Sequence, residues 1–288
     1  MRPRDGGLRP GTREELMADD RERWALILGA SSGMGEAAGL ALARAGYRIV
    51  GVHLDFRAGL HHVTELKHAI KASGSEALFI NMNAADDHKR ADAIARVLER
   101  FDASRAAGRH PHLRVVMHSL AFGSLLPFLA EDPKGAISRK QMDMTLDVMA
   151  NSLVYWVRDL WLAGLLERGS KVYAMTSEGS ARTIPSYGAV SAAKAALESH
   201  CRQLAMELAR LDSGVAVNAI RAGVTETPAL RKIPEAARVI EHTLVRNPHG
   251  RLTTVEDVAD AIVTLASTDS DWISGNVINV DGGEFHTG

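Results

Sequence analysis

A single cysteine, Cys201, stands in a chain of 288 residues. That excludes an internal disulfide framework and sets the expectation of a reducing compartment, the cytoplasm. Long hydrophobic runs are missing too. The apolar stretches at 24–28 and 163–166 fall far short of the roughly 20 residues that span a bilayer, so no membrane partner is expected. Nor does either sign of charge prevail: 34 basic and 35 acidic residues give a formal net charge of -1. Such a balance offers no global attraction to nucleic acid and favours small or neutral partners. The 12 histidines form no ligand pattern. His61 and His62 are adjacent, His110 and His112 fall in an expected loop, and neither pair has a third ligand in sight, so no metal is expected.

What is present is enough for one substantial core, with 46% hydrophobic residues in a length near the upper limit of a single domain. Residues 1–22 mix Arg2, Arg4, Arg9 and Arg13 with Asp5, Glu14, Glu15, Asp19 and Asp20 and carry few large apolar residues. They read as a flexible N-terminal extension without the apolar core of a secretory signal. Residues 23–288 read as one catalytic domain.

Within it, β-rich runs at 24–28, 48–53, 77–81, 114–118, 171–176, 215–220 and 276–280 alternate with helical stretches at 36–45, 63–72, 89–100, 143–166, 189–211 and 255–266. Strands alternating with helices imply parallel pairing, and mostly apolar strands imply burial on both faces. The expected fold is α/β, a doubly wound parallel seven-stranded sheet of the Rossmann type. The stretch 225–252, with Pro228, Pro234, Pro248 and Gly250, belongs clearly to neither strand nor core helix and reads as a substrate lid.

Gly29, Ala30, Ser31, Ser32, Gly33, Met34 and Gly35 follow the first strand directly and open the first helix. Glycines there permit a tight turn and close approach of backbone to a pyrophosphate, which the helix N-terminus attracts. The Gly-x3-Gly-x-Gly spacing resembles the short-chain dehydrogenase/reductase superfamily, as do Ala222-Gly223 and the run from Val280 to Gly283. This resemblance implies a nicotinamide dinucleotide held by Gly29, Ser31, Ser32, Gly33, Met34 and Gly35. His53, Asn83, Ala84, Ser119, Leu120 and Ala121 would complete its groove, with Lys194, Gly223, Val224 and Thr227 near the nicotinamide. Where users of NAD often present a carboxylate to the ribose, alignment puts His53. That leaves room for a 2′-phosphate near Arg57 and tilts the expectation from NADH toward NADPH, with Asp55 a competing ribose partner.

The chemical signal lies between Ser177 and Lys194. No Tyr-x3-Lys occurs; Tyr187 precedes Lys194 by seven residues, and Ser177 precedes it by 17. On a helix, seven residues make nearly two turns and leave both side chains on one face, about 10 Å apart. The Tyr-x6-Lys spacing resembles the bacterial enoyl-acyl-carrier-protein reductases of the superfamily. So does the run from Met117 to Phe122 that ends the fourth strand. Ser177, in the place of a further tyrosine, and Asn247-Pro248-His249-Gly250-Arg251 resemble a serine-containing branch of those enzymes. Alignment puts Met149 near the superfamily's helical asparagine, with Asn151 two residues on. The resemblance implies hydride transfer to a trans-2-enoyl thioester, possibly on acyl carrier protein, with Tyr187, Lys194 and Ser177 as the catalytic set. A homotetramer is expected, because 143–166 and 189–211 carry apolar residues on more than one face. The competing readings are an NADPH-dependent carbonyl or 3-oxoacyl reductase and an inactive cofactor-sensing scaffold.

Overall fold

The computed structural model describes residues 21–234 and 236–287. Seven strands, β1 (Arg21–Leu28), β2 (Arg48–His53), β3 (Ala77–Asn81), β4 (His110–His118), β5 (Lys171–Thr176), β6 (Ala216–Ala222) and β7 (Val277–Val280), form one sheet. All pairs are parallel, in the order β3-β2-β1-β4-β5-β6-β7. Side chains alternate across it, as a period of two requires. Trp24, Leu26 and Leu28 enter one apolar cluster and Ala25 and Ile27 the other.

Helices cover both faces. α1 (Gly33–Arg44), α2 (Leu60–Ala72) and α8 (Val255–Ser267) bury Leu42, Leu66, Ile70 and Ile262 on one side. On the other, α3 (Asp87–Ala106), α5 (Ser152–Leu162) and α6 (Gly188–Arg210) bury Val97, Trp156 and Leu197. The two remaining helices, α4 (Arg139–Leu146) and α7 (Ala236–Arg246), are peripheral, with one buried residue each. Strand order reverses beside β1, which opens a crevice at the carboxyl ends of β1 and β4. The expected doubly wound architecture is therefore the one observed.

Three boundaries differ in consequence from those read in the sequence, the others by a few residues at element ends. β1 starts at Arg21, inside the stretch expected to be an extension, because Glu22 is buried and ligated from distant parts of the chain. Its carboxylate accepts from Trp24 Nε1 and Ser104 Oγ, both at 2.8 Å, and pairs with Arg109 at 3.0 Å and Arg48 at 3.2 Å. The rest of that expected extension lies outside the described residues. β4 starts at His110, so His110 and His112 pair with Arg21 and Arg23 instead of sitting in a loop. Finally, the helix expected over 143–166 is divided by one π turn, Asp147–Asn151, between α4 and α5.

Removing the Glu22 carboxylate strands the Trp24 and Ser104 donors and uncouples two arginines that are themselves partly solvated. Glu22→Ala should therefore cost roughly 2–3 kcal/mol. Urea unfolding would show this as a lower midpoint at constant slope, and an unchanged midpoint would deny the cluster its role.

Candidate active site

The turn after β1 is shaped by what glycine lacks. Gly29 has a left-handed backbone, φ +88°, and a Cβ there would overlap the carbonyl oxygen of Ser119; a Cβ on Gly35 would overlap that of Gly29. Helix α1 thus starts directly against the ends of β1 and β4. Ser32 occupies its N-cap with extended backbone but supplies no side-chain cap. The first-turn N–H groups of α1 are left to an anion. Gly29 and Ala30 both donate their N–H groups to Val52 O, so phosphate binding falls to the later residues of the turn, Ser31 to Gly35. Gly33 faces Thr227, whose methyl is 3.5 Å from a Cβ placed there. An uncapped helix end and a cradle that a Cβ would fill both fit a dinucleotide.

At the end of β2, His53 is buried and its Nδ1 lies 2.9 Å from Asp55 Oδ2. Asn81 clamps the Asp55 backbone on both sides, accepting from its N–H at 3.1 Å and donating to its carbonyl at 2.8 Å. A carboxylate therefore does stand here, two residues beyond the position alignment gives. Arg57 is exposed. A second acid, Glu36 in the first turn of α1, binds His62 at 2.9 Å and raises the His62 pKa. Of the other expected groove residues, Asn83 uses its side-chain oxygen on Ala85 N–H, and Ala84 accepts from Trp156 Nε1 through its carbonyl. Ser119 N–H donates to Leu28 O, Leu120 approaches Gly29, and Ala121 is exposed.

The strand β5 delivers Ser177 to the same crevice from the other side. Its Oγ is buried without a hydrogen-bond partner. Tyr187 is not inside a helix, as the spacing suggested, but caps α6; Ser186 before it is left-handed at φ +58°. Such a conformation costs a non-glycine residue about 1–2 kcal/mol, and strain of this kind persists where surrounding structure imposes it. The Tyr187 ring lies on Gly179, 2.8 Å from a Cβ placed there. Burial raises the Tyr187 pKa, opposed by the nearby Ser177 hydroxyl, which does not close a hydrogen bond.

Lys194, in the second turn of α6, is buried and donates to Met175 O at 2.6 Å. Burial pulls its pKa down to about 8. Beneath it, His118 at the end of β4 lies 2.8 Å from Ser152 Oγ, which itself donates to Val148 O at 2.8 Å. The serine has one proton to give, so His118 Nε2 is the donor. Burial, with the Lys194 charge, takes the His118 pKa to about 3. Met149 is buried in the core, and Asn151 Oδ1 lies 3.2 Å from His200 Nε2.

Gly223 closes the site from β6: its N–H donates to Val280 O, and a Cβ would overlap Thr253 Oγ1. Val224 O accepts from Thr253 N–H. The segment 225–252 contains α7, whose C-terminal Arg246 pairs with Glu178 at 2.7 Å and Glu284 at 2.8 Å. These arginine pairs belong to no sequence motif, and neither do Glu198 on α6 and Arg221 on β6, which also pair. The signal available was a charge placed inside an apolar strand or helix face.

A sequence model of the family described as enoyl-(acyl carrier protein) reductase matches residues 29–284. The chain belongs to that family. It is 34% identical over 174 residues to enoyl-acyl-carrier-protein reductase (NADH) FabI of Aquifex aeolicus strain VF5, a match that takes in 59% of this chain and spans 62% of that relative's length. It is 26% identical to 1-cyclohexenylcarbonyl-CoA reductase of Streptomyces collinus, over 92% of this chain and 87% of that protein. The crystal structure of the Aquifex aeolicus VF5 enoyl-acyl-carrier-protein reductase (NADH) superposes with a TM-score of 0.76 at 27% identity, covering 93% of this chain and 98% of that one.

Because a side chain at Gly35 has nowhere to go but into the Gly29 carbonyl, Gly35→Ala should push α1 away from the crevice and weaken cofactor binding at least about tenfold. Titration of NADH fluorescence measures this directly. Unaltered affinity in the folded variant would remove the turn from the binding site.

Proposed function

We propose that this protein reduces trans-2-enoyl thioesters, carried by acyl carrier protein or a similar thioester carrier, with a reduced nicotinamide cofactor. The observation that carries the reading is the convergence of Tyr187, Lys194 and the unpartnered Ser177 Oγ on the crevice opposite the uncapped α1 terminus. When bound, the cofactor supplies the hydride that reduces the β-carbon of the substrate. The negative charge that then develops on the thioester oxygen needs a donor. Tyr187 is kept protonated by its raised pKa and donates to that oxygen. Lys194 holds the nicotinamide ribose and, charged below about pH 8, stabilises negative charge nearby. The Ser177 hydroxyl orients the carboxamide or the thioester. Gly223, Val224 and Thr227 border the nicotinamide, while Ser31 to Gly35 hold the pyrophosphate, with Asn83, Ala84, Ser119, Leu120 and Ala121 along the groove.

For the cofactor itself we favour NADH over the NADPH preferred from sequence. Asp55 places a carboxylate at the end of β2, held by His53, and Glu36 adds a second in the first turn of α1, bonded to His62. A 2′-phosphate would meet negative charge there, whereas ribose hydroxyls can donate to it. The Aquifex relative is likewise named for NADH. The segment 225–252 serves as a lid over the acyl chain, its far end anchored through Arg246. A reducing cytoplasm suits the lone buried thiol of Cys201.

Two experiments test this. Crotonyl thioester should be reduced with NADH faster than with NADPH, and Tyr187→Phe should lower that turnover about 100-fold or more while leaving cofactor affinity intact. Preferential reduction of acetoacetyl thioester, or NADH binding with no hydride transfer to either, would overturn the reading. Exposed Leu162 on α5, with Met206 and Leu211 at the end of α6, supports a homotetramer. Light scattering should then give four times the 31.0 kDa chain mass; a value near one chain would exclude it.

A further inference from the structure

One turn beyond Lys194 on α6 lies Glu198, also buried. Residues four apart on a helix share a face, and here that face is pressed against the end of β5. The two side chains bind successive residues of the strand: Lys194 donates to Met175 O at 2.6 Å, and Glu198 Oε1 accepts from Thr176 Oγ1 at 2.8 Å. Ser177 is the next residue. Glu198 therefore fixes the strand end from which both the lysine's acceptor and the free serine hydroxyl are presented.

The charge on Glu198 is shared. Arg221, on β6, donates to the same Oε1 at 3.0 Å. It reaches Ser180 at 3.3 Å, stands 4.2 Å above the Phe285 ring, and is buried. We propose that the buried Glu198–Arg221 pair is a positioning device for the active-site lysine: Glu198 holds the charge on Lys194 from one turn away, and Arg221 limits how much of that charge the lysine feels. The proposal rests on the reading of Lys194 as the ribose-binding cation.

Other groups facing this pair do not supply the charge. His118, on β4, is neutral, with a pKa of about 3. The Cys201 thiol, further along α6, is pushed up to about 12 by burial and stays protonated. The Tyr187 phenol is raised and neutral. Of the groups that raise the Lys194 pKa against its burial, Cys201 comes first and Glu198 second; with the thiol protonated, Glu198 is the one of the two that carries charge. Since a lysine is charged below its pKa, cofactor binding that depends on it is present at low pH and lost as pH rises through about 8.

Full-length protein would be titrated with NADH by fluorescence from about pH 6 to about pH 10. Wild type should lose affinity with a midpoint near 8, and Lys194→Met should lose the pH dependence itself. Glu198→Gln should move the midpoint down, and Arg221→Met should move it up, each by about half a unit or more. Both variants disrupt the same buried pair, so simple structural damage gives no reason for shifts of opposite sign. If Glu198→Gln does not fold, the upward shift in Arg221→Met carries the test. A midpoint that disappears in Lys194→Met but stays fixed in the other two overturns the coupling and leaves the reading of Lys194 standing. A wild-type affinity without any such midpoint, or one that survives Lys194→Met, overturns that reading and the coupling with it.

Discussion

The crevice exists because two backbone segments touch where any side chain would hold them apart. With only hydrogen on Gly29 and Gly35, the first turn of α1 seats against the carbonyl that ends β1, and β1 seats against the one after β4. Parallel neighbours then fix the rest. β4 brings His118 and Ser119 to the carboxyl edge of the sheet, β5 brings Ser177, and β6 brings Gly223. A strand slipped by one residue would turn each of these groups to the opposite face.

Dehydration gives the site its chemical character. Burial acts on three titratable groups at once, raising Tyr187, lowering Lys194 to about 8 and lowering His118 to about 3. Each shift favours the neutral form. Charge is therefore tolerated only where a partner is provided, and a charge that develops on a substrate meets fixed dipoles with little water to compete. Ionic contacts also line the margin of this zone. Arg246 ties α7 to Glu178 and Glu284, while Arg182 donates to Phe285 O at 2.6 Å. The two arginines hold the turn after Ser177 and the chain's last described residues to the end of α7.

Much of this could be read without coordinates, for a physical reason. Runs such as 48–53 and 171–176 are apolar, flanked by turn residues and buried on two faces, and 77–81 is a short, mostly apolar run at the sheet edge, so local composition marks both ends, and those strands match residue for residue. The glycine turn and the Ser177, Tyr187 and Lys194 spacing are local as well. What escaped was long-range pairing. Glu22 reads as part of a charged tail until Ser104 and Arg109 are brought to it, and Arg221 reads as an oddity until Glu198, 23 residues away, accepts its hydrogen bond. The Asp55 carboxylate was visible, but its fixing by His53 and Asn81 joins the ends of two strands.

The π turn at Asp147–Asn151 has a bearing on how this chain should be compared with its relatives. Bonds from i to i+5 accommodate one residue more than the α-helical pattern, which amounts to a phase slip of about 100° around the helix axis. Positions before and after it therefore belong to two separate numbering frames. An alignment column counted forward from α4 and one counted backward from α5 assign different residues to the same place. Met149, buried in the core, and Asn151, against His200, both lie within that turn, so neither frame extends over them.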